Sequence, residues 1–114
     1  VNSVTLPWPP KELNPNAKCK LRAKMRAKKA YRQECWALTL EAGLRAPADR
    51  ILLHLDFYPP DNRTRDDDNM IASFKHGRDG VALAMKIDDK RFRTVPMVRD
   101  VRKGGAIVVT LEAL

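Results

Sequence analysis

The sequence predicts one α+β domain over residues 1–114: a small mixed sheet carrying two packed helices, in the order β-α-β-α-β-β. Three observations predict it. Short stretches of strict apolar alternation sit beside longer stretches with helical spacing. The two patterns are intermixed along the chain rather than segregated into halves. The length of 114 residues suits one core, and 44% hydrophobic with 32% charged residues is ordinary globular composition.

Each element has a local reason. Val1–Leu6 alternates as a strand and runs into Pro7-Trp8-Pro9-Pro10, a stiff extended exit. Asn14-Pro15-Asn16 continues the loop. From Ala17 to Ala42 nothing breaks a helix, and Gly43 is a natural stop. The second half of that helix has an apolar face of Tyr31, Cys35, Leu38 and Ala42, flanked by Trp36 and Leu40, while its first half is nearly all Lys, Arg and Ala. Ile51–Tyr58 alternates cleanly, with Ile51, Leu53, Leu55 and Phe57 on the buried face and His54 on the other. Pro59-Pro60-Asp61-Asn62 ends it, and Arg63-Thr64-Arg65 leads to Asp66-Asp67-Asp68. Met70, Ile71, Phe74, Val81, Ala82 and Met85 then predict a helix over 69–85, weakened at Gly77 and Gly80 by about 1 kcal/mol each. Thr94–Val101 and Ala106–Glu112 read as strands of a hairpin turned at Arg102-Lys103-Gly104-Gly105.

Charge narrows the function classes. Lys plus Arg total 22 against 14 Asp plus Glu, a net charge of +8. That points to a polyanionic partner, with nucleic acid ahead of an anionic membrane surface. Nine basic residues against one acid fall between Lys11 and Arg32, among them Lys18, Lys20, Arg22, Lys24 and Arg26. No apolar run approaches the ~18 residues that a membrane span requires, and the N-terminal alternation is unlike a signal peptide. Cys19 and Cys35, placed on one helix, are too far apart to pair and read as free thiols of a reducing cytoplasm.

The acids concentrate at Asp66-Asp67-Asp68 and Asp88-Asp89. One reading is plain helix capping and dipole complementation. The other is metal binding: crowded carboxylates repel unless a cation lies between them. Oxygen-only ligands suit Mg²⁺ or Mn²⁺ rather than zinc. An EF-hand is excluded, because the glycine and glutamate of its loop are missing. No arrangement of Ser, His and Asp or of Cys and His suggests covalent catalysis. His54 and His76 read as plain imidazoles, and Trp8 and Trp36 as anchors before base-stacking groups.

The order of these motifs resembles the RusA family of Holliday junction resolvases, small enzymes typical of bacteriophages and prophages. The resemblance rests on Thr5-Leu6-Pro7-Trp8-Pro9-Pro10, Ala30-Tyr31-Arg32, Tyr58-Pro59-Pro60-Asp61, Arg65-Asp66-x-Asp68-Asn69, Asp88-Asp89 and Lys103-Gly104-Gly105. It implies a RusA-like fold, Mg²⁺-dependent cleavage of four-way DNA junctions, a homodimer and a place in the cytoplasm of a bacterial host. It also implies catalytic, metal-holding acids at Asp66, Asp68 and Asp89. The family's catalytic lysine falls on Ala72 in this chain. Lys75 lies three residues later, 300° around a continuous helix and about 4.5 Å along it, and is the substitute expectation. Arg63, Arg65 and Arg78 are expected phosphate contacts beside the basic helix. The alternative is a non-catalytic DNA-binding protein that keeps the fold, as the loss at Ala72 suggests.

Overall fold

The computed structural model describes residues 2–114, so the part of the first strand assigned to Val1 lies outside the described residues. Four strands and three α-helices follow in the order β1 (Ser3–Pro7), α1 (Leu21–Ala42), β2 (Ile51–Tyr58), α2 (Asp67–Ser73), α3 (Lys75–Ala84), β3 (Phe92–Val98) and β4 (Ala106–Ala113). Single 3₁₀ turns occupy Lys11–Leu13 and Asp89–Arg91. The architecture is α+β with a mixed sheet, as the sequence predicts.

The sheet order is β1-β4-β2-β3. β4 pairs antiparallel with both β1 and β2, and β3 pairs parallel with β2. This corrects the expected β3–β4 hairpin. Strand β2, helices α2 and α3, and strand β3 form a crossover unit, and parallel neighbours need such a connection. The Arg102–Gly105 turn does form: the Gly105 N–H donates to the Arg102 carbonyl at 2.7 Å, with φ of 82° at Gly104 and 73° at Gly105. It carries the chain over the end of β2 instead of back along β3. The Arg99 and Arg102 N–H groups donate to the Phe57 and Pro59 carbonyls on the way. β4, whose Ile107, Val109 and Leu111 are fully buried, thereby takes a central place.

One face of the sheet is covered. Ile51, Leu53, Leu55 and Phe57 of β2 pack with Tyr31, Cys35, Phe74 and Val81 of the helices. Phe74 meets Tyr31 and Phe57 edge-on, with ring centroids 6.3 and 6.4 Å apart. Thr39 is buried on the same helix face and donates its hydroxyl to the Cys35 carbonyl at 2.7 Å. The other face, bearing His54, Asp56, Val95 and Met97, is uncovered.

Besides one-residue extensions at the ends of β1 and β4, three boundaries differ from expectation. α1 begins at Leu21 rather than Ala17, because Asn14 ties up its neighbours: its side chain and carbonyl accept from the Asn16 and Ala17 N–H groups. Lys18, Cys19 and Lys20 therefore precede the helix, and the two cysteines do not share it. The single helix over 69–85 is two helices, joined at Phe74 with φ −88° and ψ −4°. The Ser73 hydroxyl bonds back to the Asn69 carbonyl at 2.7 Å, a substitution for backbone bonding that bends helices. The break turns Gly77 and Gly80 toward α1. A Cβ on Gly80 would lie 2.4 Å from the Arg32 carbonyl oxygen, so these glycines permit close helix packing rather than merely weakening a helix. Finally, β3 spans 92–98 rather than 94–101.

Candidate nucleic-acid interface and acidic site

The segment after β2 is organised by Asp61. Its carboxylate accepts from the Arg63 N–H at 3.0 Å and from the Arg65 guanidinium at 2.8 Å. The Arg63 N–H, then the Arg65 and Arg63 side chains, hold this carboxyl below the ordinary aspartate range. Arg65 also donates to the carbonyls of Asp61 and Arg63, at 3.0 and 3.2 Å, and lies 5.7 Å from the centre of the Trp8 ring. Its side chain is only 17% exposed. Arg65 is thus a fixed plane held by three hydrogen bonds inside the chain. Arg63, by contrast, projects into solvent.

A cleft of about 590 Å³ opens between the Pro-Trp-Pro-Pro exit of β1 and the Arg63–Asp66 segment. Trp8, Pro10, Pro60 and Met70 give it apolar walls, while Lys11, Lys18, Arg63 and Arg65 supply cations. Asp66 and Asn69 line the side formed by the start of α2. The Pro-Trp-Pro-Pro motif, the loop arginines and the first catalytic candidate, far apart in sequence, therefore share one surface.

The capping reading of the acids is realised in part. Asp66 is the N-cap of α2 and accepts from the Asp68 N–H at 2.8 Å. Asp88 does the same for the second 3₁₀ turn, accepting from the Lys90 N–H, which holds its carboxyl below the usual range. Capping leaves Asp67 and Asp68 exposed, with no ion pair among the described residues. Asp89 is engaged elsewhere: Arg78 donates to its carboxylate at 3.1 Å and to its carbonyl at 3.0 Å. Arg78 also contacts the Phe92 carbonyl at 3.4 Å and lies over the Phe92 ring. In one chain Arg78 is a tether for Asp89 rather than a free cation.

Topology decides which acids meet. Because β2 and β3 are parallel, the chain leaves β2 at one end of the sheet and enters β3 at the other. Asp66 and Asp68 lie at the start of the crossover and Asp89 at its finish. An eight-residue strand such as β2 is roughly 26 Å long. Accordingly, no group of three His, Cys, Asp or Glu side chains among the described residues is placed to hold a metal ion.

Lys75 opens α3, across the break from Asp68, so the continuous-helix relation expected between them does not hold. It belongs instead to a basic cluster with Lys28 and Arg32 of α1 around His76. Burial first, then the charge of Lys28, with smaller contributions from Lys75 and Arg32, holds the His76 imidazole below the ordinary histidine range against an opposing pull from Asp79. Lys18, Lys20, Arg22 and Arg26 are exposed and Lys24 half-buried. None of the five makes an ion pair among the described residues. Cys19 is an exposed free thiol on the cleft, and burial pushes the Cys35 thiol up to about 12.

The sequence reading missed Asp61 as the organiser of the loop, although Asp61 and Arg65 have the spacing of an ion pair. It also missed Asn69 as part of the cleft.

The fold and surface define a class: an α+β domain with a mixed four-stranded sheet, a basic segment leading into its longest helix, and exposed acids beside a cationic cleft. No family model matches the chain. It is 41% identical over 119 residues, covering all of this chain and 78% of the other, to a protein of Xylella fastidiosa (strain Temecula1 / ATCC 700964) described as "Uncharacterized protein". The chain belongs to the same family as that protein. Among the described residues, no helix is long and apolar enough to cross a membrane.

Proposed function

We propose that the protein is a RusA-like, metal-dependent endodeoxyribonuclease that cuts four-way DNA junctions as a homodimer. The observation that carries this reading is the exposed Asp66 on a cleft rimmed by Lys11, Lys18 and Arg63, with exposed Asp68 two residues further on, in a chain of net charge +8. Carboxylates beside a surface that attracts phosphate repel it unless a cation intervenes. The donors are all carboxylate oxygens, which fit Mg²⁺, with Mn²⁺ as a substitute. Asp66 and Asp68 would hold the ion together with Asp89 of the partner subunit. A bound Mg²⁺ neutralises phosphodiester charge and activates water.

The chain's own residues do the rest. Lys18, Lys20, Arg22, Lys24 and Arg26 bind the phosphates of the junction arms, and Arg63 extends that surface to the cleft. Arg65 fixes the cleft wall, while Arg78 orients Asp89 by holding one of its oxygens. The uncovered sheet face suits contact between copies. Val95 and Met97 are exposed on it, and its charges are largely paired within the face, Arg99 with Asp56 at 2.7 Å and His54 with Glu112 at 2.8 Å.

A second reading, a DNA-binding protein without cleavage, is favoured by Ala72 and by the placement of Lys75 with Lys28 and Arg32. One assay separates them: nicking of a synthetic four-way junction in Mg²⁺ against EDTA. The nuclease reading expects cleavage that is lost in Asp66→Asn and Asp68→Asn while junction binding persists. Binding with no nicking at any Mg²⁺ or Mn²⁺ concentration supports the second reading. Full activity in either variant removes these acids from the site.

A further inference from the structure

We infer that the cleft between Trp8-Pro9-Pro10 and Arg63–Asp66 is a pocket for a single unpaired base, stacked against the Arg65–Trp8 pair, in the strand whose phosphate meets Asp66. The inference deepens the nuclease reading and rests on it for the identity of the strand.

Size and shape come first. At about 590 Å³ the cleft falls within the range of small-ligand pockets, roughly 300–1,000 Å³, which suits one nucleotide and not a duplex. Its walls are unlike the rest of this basic surface. Trp8, Pro10, Pro60 and Met70 offer apolar area, and the cations sit at Lys11, Lys18 and Arg63. That division, an apolar slot whose lining cations outnumber the Glu12 and Asp66 carboxylates, suits a nucleotide's apolar ring faces and anionic backbone.

The stacking surface is already built. Arg65 gives three hydrogen bonds to the 61–63 segment, two of them at 3.0 Å or less to Asp61 alone. Those bonds hold the guanidinium in place, so it offers a ligand the face of a flat, pre-positioned cation. Guanidinium planes and aromatic rings are the usual platforms for splayed bases. Trp8 is equally fixed: its ring meets Phe57 edge-on at 6.2 Å, and the backbone at Gly105 lies so close that a Cβ there would come within 2.8 Å of the Trp8 Cβ. A platform that does not have to be ordered on binding loses little entropy there. Asn69, half-buried on the cleft, adds an amide able to donate to and accept from a base edge.

The chain holds two tryptophans, so Trp36→Phe leaves Trp8 as the single reporter. This variant, shown folded by circular dichroism, is titrated with a short single-stranded oligonucleotide, the same backbone made entirely of abasic sites, and a mononucleotide. Binding is followed independently by anisotropy of labelled strands. The expected result is saturable quenching of Trp8 by the base-bearing strand only, with the abasic strand binding at least fivefold more weakly and leaving the emission unchanged. Arg65→Lys, which keeps the charge but loses the plane, should weaken the base-bearing strand by a similar factor and the abasic strand little. Equal quenching by both strands, or tight binding with no Trp8 response, overturns the pocket. Saturation by the mononucleotide at the same concentration as the strand also overturns it, because the site would then belong to free nucleotides. Junction nicking is scored separately: nicking without a Trp8 response rejects the pocket and spares the nuclease reading, whereas the reverse rejects cleavage and spares the pocket.

Discussion

Replacing Gly80 with alanine sets two known effects against each other. In an exposed helix interior the change favours folding by about 1 kcal/mol, because glycine is the poorer helix former. In this fold α3 crosses α1 at Gly80. The added Cβ would sit 2.4 Å from the Arg32 carbonyl oxygen and 3.1 Å from the Trp36 nitrogen. Both are backbone atoms inside a 22-residue helix, so neither can rotate aside as a side-chain tip would. Relief requires α3 to retreat by roughly 1 Å, against a core at native density, and overpacking of that kind costs about 1–3 kcal/mol. Set against the propensity gain, the expected net loss is up to about 2 kcal/mol. For a domain of this size that lowers Tm by up to roughly 15 °C. The assay is thermal unfolding followed by circular dichroism, with urea unfolding as a second probe. The retreat would also move Arg78, which shares α3, and so loosen the hold on Asp89. A Tm equal to or above that of the unmodified protein would show that propensity wins and that the helices do not approach this closely.

Three further outcomes are expected. Substituting Lys18, Lys20, Arg22 and Lys24 together by alanine should weaken binding to every DNA form and flatten its salt dependence by roughly 0.9 in log–log slope per lost duplex phosphate contact, with circular dichroism unchanged. Mixing Asp68→Asn with Asp89→Asn chains should restore single-strand nicking, since one site of each heterodimer is then intact; continued inactivity of the mixture would place all three acids in one chain. His76 titrates lower in the folded chain than in the unfolded one, where a value of about 6.5 applies, so the unfolded state takes up its proton first as pH falls. The stability due to neutral His76 is complete above about pH 6.5 and is lost as pH drops from there through the lowered folded value, and His76→Gln should flatten the urea midpoint across that window.

How much of this was legible follows from what each pattern encodes. The span of β2 reads directly from alternation because one face is buried and one is not. The end of α1 reads from Gly43, whose φ of 70° is a conformation that glycine adopts without strain. The partner of β3 did not read, because alternation marks a strand without naming its neighbour, and a glycine pair suggests a hairpin wherever two strands flank it. The strand–helix–strand order held the missing signal, since a parallel pair is what a helical crossover joins. The break at Phe74 accompanies a serine hydroxyl that bonds the Asn69 carbonyl, and the late start of α1 an asparagine whose side-chain oxygen accepts from the Asn16 N–H. The cleft gathers Trp8, Lys18, Arg65 and Asp66, a juxtaposition across three elements that no local pattern contains.

The parallel pairing also bears on the proposed dimer. A helical crossover between parallel strands fixes its own two ends at opposite ends of those strands, so no rotamer change brings Asp89 to Asp68 within a chain. A two-fold axis perpendicular to the strands reverses their direction in the second copy. It thereby brings the finish of one crossover toward the start of the other, and it does so twice by symmetry. The surface suits such an arrangement. The basic segment and cleft carry unpaired cations that would repel a second copy, whereas the uncovered sheet face has Val95 and Met97 exposed and Arg99 neutralised by Asp56. Pro96 lacks the N–H that an added strand would use, which disfavours unlimited edge-to-edge growth from β3 and leaves its face as the more favourable contact. Two composite sites on one symmetric particle would then face the two opposed strands that a four-way junction must have cut.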